Sequence, residues 1–308
     1  MTKENTPIQR RMNESHIKVI MEKGTIDDAL FQHSVLCQTF LPYRNPGKDT
    51  RIWKHQQGRV NLAIQGREIY NPEKGDYEYP GLPYGAKARL ILAHINSQAI
   101  KQQSPVVQIE DSMSAFMKKI GLNVTGRTIR EIKDQLRRVY ASTFSLAYQN
   151  ENNSIQVDLQ LADAIKQDNS FNLWFPKDES QRVLWKSEIH LGESYFKSLI
   201  SHAIPLDERA LASLSHNALA LDIYAWLAQR LHRVNPQKPQ FITWVAIKDQ
   251  FGRGYSQMYK FKQKFRQTLK IALLQYPKAR IREEKNKGFW LSHSPSPIEK
   301  KSRVFIGG

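Results

Sequence analysis

With a single cysteine, Cys37, in 308 residues, the chain can hold neither an internal disulfide framework nor a cysteine zinc site. Long apolar runs are missing too, so no segment has the length of a membrane span. The opening residues Met1-Thr-Lys-Glu-Asn-Thr-Pro lack the apolar core of a signal peptide, and a cytoplasmic protein is expected. Acidic residues are scarce: 29 Asp and Glu stand against 46 Lys and Arg, giving a formal net charge of +17 and a pI near 9.8. That imbalance asks for a polyanionic partner, nucleic acid before membrane.

Catalytic constellations are equally absent. No His-x-His pair exists to hold the metal of a rolling-circle nicking enzyme, and His94, His190, His202, His216 and His232 stand singly, as packing or surface residues do. No Asp-x-Asp or Glu-x-x-His cluster suggests a metal. Gly121-x4-Gly126-Arg127-Thr128 approaches a phosphate-binding loop. It carries Arg where that loop needs Lys, and a helical pattern precedes it where a strand is required, so a helix-to-helix turn is the plainer reading. Tyr224 and Trp226 lie in a helix of Ala and Leu, where packing is favoured over base stacking. No catalytic residue, metal or cofactor is expected, and the chain is read as a non-enzyme.

What is present concentrates near the C-terminus. From Ser256 to about Gln275, Met258, Phe261, Phe265, Leu269 and Ala272 form one apolar stripe of a helix. Ser256, Tyr259, Lys260, Gln263, Arg266, Gln267 and Lys270 lie opposite, flanked by Lys262 and Lys264, with no acid among them. After Tyr276-Pro277, Ala279-Arg-Ile-Arg-Glu-Glu and Gly288-Phe-Trp-Leu read as strands around a Lys285-Asn286-Lys287-Gly288 turn. Arg280, Arg282, Lys285 and Lys287 make this hairpin basic. A cationic, amide-bearing helix followed by a basic hairpin outlines a winged helix, in which the helix enters a DNA major groove and the hairpin meets the backbone. The alternative is a solvated helix on an ordinary basic protein.

Element order supports two such units. Residues 1–24 read as a polar tail, with Arg10 and Arg11 in reach of phosphates. Asp27-Asp28 is expected to open a short helix through Leu30, Phe31, Val35 and Leu36, and Arg59–Gln65 a strand. Helices are expected over Gly85–Gln103, from Asp111 or Ser112 to Gly121, and over Gly126–Tyr140, with a strand at Pro105–Glu110 and a hairpin at 143–159. Helix, strand, helix, helix and hairpin then recur. A helix begins at the Pro205-Leu-Asp-Glu-Arg cap and another runs Leu219–Leu231. The strand Phe241-Ile-Thr-Trp-Val, the helix Ala246–Phe251, the basic helix and its hairpin complete the repeat. The fold expected is α+β: two tandem winged-helix domains, 25–185 with a strand-bearing N-terminal extension and 186–295, ending in a tail at 296–308. The first candidate reading helix shows Arg127, Arg130, Glu131, Asp134 and Arg138, a mixed-sign face expected to touch DNA weakly or serve a protein contact. The second unit is the better base reader.

Several blocks in combination resemble the plasmid RepA-type replication initiators: Phe31-Gln-His-Ser-Val-Leu-Cys-Gln, Leu41-Pro-Tyr-Arg-Asn-Pro-Gly, Gly58-Arg-Val-Asn-Leu, Gly81-Leu-Pro-Tyr-Gly-Ala-Lys-Ala-Arg-Leu-Ile-Leu-Ala-His, Phe171-Asn-Leu-Trp-Phe-Pro-Lys-Asp-Glu, Leu206-Asp-Glu-Arg-Ala-Leu and Leu221-Asp-Ile-Tyr-Ala-Trp-Leu-Ala-Gln-Arg-Leu-His-Arg-Val. The resemblance implies a non-enzymatic protein that binds duplex DNA at a plasmid origin, at repeated sites (iterons) in related initiators, and sets copy number. It also implies recruitment of the host initiator and helicase, and a homodimer in one functional state. A transcriptional repressor or autoregulator using the same helix is the alternative, and a rolling-circle nicking enzyme a second, disfavoured one.

Overall fold

The computed structural model describes residues 13–298, apart from 15, 18, 23, 72–73, 109, 111, 150–153, 161 and 164–187. Arg10 and Arg11, the expected turn at 150–153, the expected join between the two domains up to 185, the Phe171-Asn-Leu-Trp-Phe-Pro block and the end of the expected tail lie outside the described residues.

Helix α1 (Gly85–Gln102) is covered almost all round: its side chains from Ala88 to Ala99 are nearly all buried, the polar Arg89, His94, Asn96 and Ser97 among them. Strand β1 (Ala29–His33), α3 (Gly126–Tyr140) and α6 (Ala218–Leu231) pack on it. Between α1 and α3 run β6 (Val106–Gln108) and α2 (Met113–Lys119). Ser112 caps α2, accepting from the Ala115 N–H at 3.1 Å, and Thr125 caps α3, accepting from the Thr128 N–H at 3.2 Å. The turn joining them needs Gly121 twice over: its φ is +73°, and a Cβ there would lie 2.3 Å from that of Ala212. The loop with phosphate-binding spacing is therefore a helix-to-helix turn. The hairpin β7 (Ser142–Gln149) and β8 (Ser154–Gln160) follows α3, and with β2 (Ile52–Gln57) and β3 (Val60–Gly66) it forms an antiparallel sheet in the order β2-β3-β7-β8. A small outlying hairpin pairs β4 (Ile69–Asn71) with β5 (Asp76–Glu78).

After β9 (Ala162–Asp163) and β10 (Glu188–His190) come α4 (Glu193–His202), β11 (Ala203–Asp207) and α5 (Glu208–Leu214), then α6. Strand β12 (Gln240–Thr243), α7 (Trp244–Phe251) and α8 (Met258–Leu274) lead to the hairpin β13 (Arg280–Glu284) and β14 (Gly288–Ser292). Here β12 pairs directly with the hairpin, in the order β12-β14-β13. In the first half β10 is inserted instead, in the order β6-β10-β9. The two halves thus share element order but differ in strand pairing.

Two local expectations are corrected. Residues 29–33 are a strand, not a helix: before them Ile26–Asp28 make one 3-10 turn closed by Asp28 accepting from Thr25, and after them 34–38 form a turn in which the Cys37 and Thr39 N–H groups donate to the His33 and Val35 carbonyls. Strand β1 is drawn into register with β11, Phe31 opposite Pro205. Pro205 accordingly sits in a two-stranded ribbon, where its missing N–H is tolerated, and Asp207, within the expected cap, caps α5 by accepting from the Arg209 N–H at 2.9 Å. The strand predicted through Val245 ends at Thr243, because Thr243 caps α7 through the Ala246 N–H. Strand β1, placed by expectation in the first domain, is thereby bonded to the second.

Further ties run across the halves. Arg89 of α1 and Asp222 of α6, both buried, form a bidentate pair at 2.7 Å on each arm, and Arg89 also donates to the Leu41 carbonyl at 2.8 Å. The His55 Nε2–H donates to the Gln250 carbonyl at 2.9 Å, and Gln250 donates to the Gln38 carbonyl at 3.0 Å. Phe40 and Phe251 stack with centroids 4.8 Å apart. One continuous core links both halves.

Candidate nucleic-acid interface

Helix α8 is held by its phenylalanines. Phe261 and Phe265 are buried with Leu269 and Ala272, and both rings meet the indole of Trp244 edge-on, at 6.3 and 5.7 Å. Phe289 of β14 packs on the same indole at 5.0 Å. Trp244 is thus the common wall on which α8 and the hairpin are set. The close approach of β14 to β12 requires Gly288, whose Cβ would lie 2.0 Å from the Ile242 carbonyl oxygen. At the hairpin tip Asn286 adopts φ +63°, a left-handed conformation that Asn tolerates.

The outer side of α8 carries Tyr259, Lys260, Gln263, Lys264, Gln267 and Lys270, all exposed. Ser256 is exposed but precedes the first helical residue, Met258. On the hairpin Arg280, Arg282, Lys285 and Lys287 are exposed. Two predicted cations are turned to other tasks. The guanidinium of Arg266 lies 4.9 Å from the Trp244 ring centre and binds Glu283 of β13 through Nε and Nη2, at 3.0 and 2.6 Å. That carboxylate raises the pKa of Arg266 and pins the hairpin to the helix. Lys262 places its ammonium 5.4 Å from the same ring, a cation–π contact, with Asn286 O at 3.4 Å. Lys287 pairs with Glu284 at 2.8 Å. Glu284 is held below the usual carboxylate range by that ammonium and by the Trp290 indole N–H.

The corresponding helix of the first half is internally neutralised. Arg127 donates to Glu131 at 2.9 Å, and Lys87 reaches the same carboxylate at 2.7 Å. Arg138 points inward, bound to Asp134 at 2.8 Å, with its guanidinium 5.1 Å from the Tyr84 ring centre. Arg137 pairs with Glu78. Arg130 alone of the three predicted arginines is exposed with no partner among the described residues.

The sequence places Glu283 and Trp244 only as strand residues; in the structure both are positioning residues. Alternation along β13 was the available signal, since it puts Glu283 on the same side as Ile281. Among the described residues no group of three or more His, Cys, Asp or Glu could hold a metal ion, and no described helix is long and apolar enough to cross a membrane.

Residues 82–246 match the family described as plasmid encoded RepA protein. That stretch is more than half of the chain, and the chain belongs to this family of plasmid replication initiators. Two solved structures are similar to it. The crystal structure of selenomethionine derivatives of domain 2 and domain 3 of RctB has a TM-score of 0.50 at 12% identity, covering 86% of this chain and 99% of that one. The crystal structure of RctB domains 2-3 (RctB-155-483) has a TM-score of 0.46 at 10% identity, covering 83% and 94%. At such identities the likeness is one of fold. No curated protein matches the chain.

Proposed function

We propose that the chain starts plasmid replication by binding duplex DNA at the origin through tandem winged-helix units, within 25–185 and 186–295, the second being the main reader. In this reading α8 enters a major groove and the β13–β14 hairpin touches phosphates. The observation that carries it is the outer side of α8: Lys260, Gln263, Lys264, Gln267 and Lys270 are exposed together with no acid among them, beside the exposed Arg280, Arg282 and Lys285. Amides and ammonium groups match base-edge donors and acceptors, and the hairpin cations match phosphates. Family membership supports the origin as the target. On the same basis the protein works in the bacterial cytoplasm, recruits the host initiator and helicase, passes through a homodimer and acts without covalent chemistry. The test is footprinting on the protein's own plasmid origin. Protection of repeated sites, with local strand opening once host proteins are added, is expected. Equal affinity for origin and scrambled duplex would overturn the reading, protection without opening would leave a repressor, and nicked circles would make it an enzyme.

A further inference from the structure

A cavity of about 440 Å³ lies away from α8, between the β3-β7-β8 side of the first sheet and helices α4 and α6. Its size is that of a small-molecule site, roughly 300–1,000 Å³. Three arginines line it, Arg59, Arg230 and Arg233, and none of the lining residues described is Asp or Glu. Arg230 is half-buried at the end of α6: one terminal nitrogen donates to Gln240 at 3.1 Å, while its Nε is buried with no hydrogen-bond partner. A buried guanidinium nitrogen without an acceptor is costly. Burial accordingly lowers the pKa of Arg230, with no anion offsetting it. Arg233 is exposed beside it.

The rest of the lining is suited to a flat organic body. Tyr148 and His202 stand with ring centres 6.3 Å apart, and Val60 and Leu146 are buried in the wall. His33 is a fixed neutral donor: its Nδ1 accepts from the Val35 N–H at 3.2 Å, so its Nε2–H is directed to Ser198 Oγ at 3.0 Å. A cavity with guanidinium groups, no carboxylate and an aromatic wall recognises an anion attached to a ring. Guanidinium groups favour phosphate in particular, through paired N–H donors.

We propose that this cavity binds a nucleoside phosphate, its phosphate on Arg230 and Arg233 and its base against Tyr148 and His202. The ligand is either free or an unpaired nucleotide of a single strand. The site shares no residue with the proposed duplex-reading surface and stands or falls separately from it.

The experiment is calorimetric titration of the full chain with dAMP, adenosine and inorganic phosphate at fixed ionic strength. Saturable one-to-one binding of dAMP is expected, at least tenfold tighter than adenosine or phosphate. Arg233→Gln, at an exposed position that folding tolerates, should weaken it at least fivefold, and Arg230→Gln more. Lys238→Gln, exposed but outside the cavity, should leave it unchanged, and Arg233→Gln should leave affinity for origin duplex unchanged. Absence of saturable dAMP binding, equal weakening by Lys238→Gln, phosphate bound as tightly as dAMP, or a matching loss of duplex affinity would each overturn the proposal. Displacement of dAMP by an eight-nucleotide deoxyadenosine strand assigns the site to unpaired DNA; no displacement assigns it to the free nucleotide.

Discussion

Helices α3 and α8 each stand second of two helices before a hairpin, and both are rich in cations, yet they dispose of charge in opposite ways. On α3 acids recur one turn from the bases, so Arg127–Glu131 and Arg138–Asp134 close i,i+4 pairs and Lys87 arrives from α1 to share Glu131. On α8 no acid stands within a turn of Lys260, Lys264 or Lys270. Among the described residues the carboxylate that reaches that helix in an ion pair is Glu283, and it takes Arg266. The number of cations on a helix therefore says little about its field; what matters is how many are left for an outside anion. Where ion pairs close within the protein, a phosphate must compete with a carboxylate already in place. Where they do not, each contact releases a counterion from DNA.

The largest expected effect tests that difference directly. Replacing Lys260, Lys264 and Lys270 together by Ala should weaken origin binding about a thousandfold, roughly 4 kcal/mol, at low salt. Replacing Arg127 and Arg130 should cost less than about threefold, under roughly 0.7 kcal/mol, since Arg127 is already paired. Fluorescence anisotropy at one salt concentration reads both. Equal losses would erase the contrast between the helices.

A second difference is a matter of acid. Two histidines whose charging burial opposes, His33 on β1 and His55 on β2, both belong to the first half. Burial pushes each down to about 4, with His202 adding to the effect at His33 and Arg253 at His55. Both are neutral in the folded and unfolded chain well above pH 6.5. As pH falls below 6.5 the unfolded chain takes up protons that the folded one refuses until about pH 4. Stability is therefore intact at neutral pH and lost through that window, by up to about 3 kcal/mol per histidine. The urea midpoint should be level from pH 8 to 7 and fall steeply towards pH 4.5, with His33→Gln and His55→Gln each flattening the slope. A midpoint independent of pH down to 5 would contradict this.

Periodic elements were legible in the sequence and remote pairings were not. The apolar spacing of Ile129, Ile132, Leu136 and Val139 marks a helix whose observed bounds, Gly126–Tyr140, are those expected, and the stripe on α8 is buried as its spacing requires. Strand β1 went unseen because its partner β11 lies across most of the chain, and Leu30, Phe31, Val35 and Leu36 fit a helical stripe equally well. Strand β2, Ile-Trp-Lys-His-Gln-Gln, alternates in burial but not in residue type, because its covered side carries Trp53, His55 and Gln57 while the apolar Ile52 is exposed. Arg89 and Asp222 are 133 residues apart, and nothing local to either announces the other. At the interface the cations themselves were readable; which of them carboxylates had claimed depended on the fold.

If α8 reads bases as proposed, base reading should separate from attraction at Gln263. Its exposed amide offers a donor and an acceptor in the arrangement that matches an adenine edge. Gln263→Ala should cost about 1–3 kcal/mol on the cognate duplex and little on a scrambled one, whereas Lys260→Ala should weaken both. Parallel losses from Gln263→Ala on the two duplexes would reduce it to a solvated helix former.

The smallest effect distinguishes two lysines of one turn. Lys285 is exposed, and no described residue partners it, whereas Lys287 sits 2.8 Å from Glu284, whose charge that contact stabilises. A phosphate reaching Lys285 displaces a counterion from DNA and loses nothing in the protein. A phosphate reaching Lys287 must first share it with a carboxylate one turn away, or draw it off. A fully exposed pair of this kind is weak, so the contest is close, but it lowers the net number of ions released. In plots of log affinity against log salt, Lys285→Ala should reduce the slope by about 0.9 and Lys287→Ala by clearly less. Glu284→Gln should move the two towards each other, because it leaves Lys287 as open as Lys285 is now. Identical slope changes for the two lysines in the unmodified background would show that pairing within the hairpin does not govern what it offers to DNA, and pairing could then no longer be the reason to expect weak binding from α3.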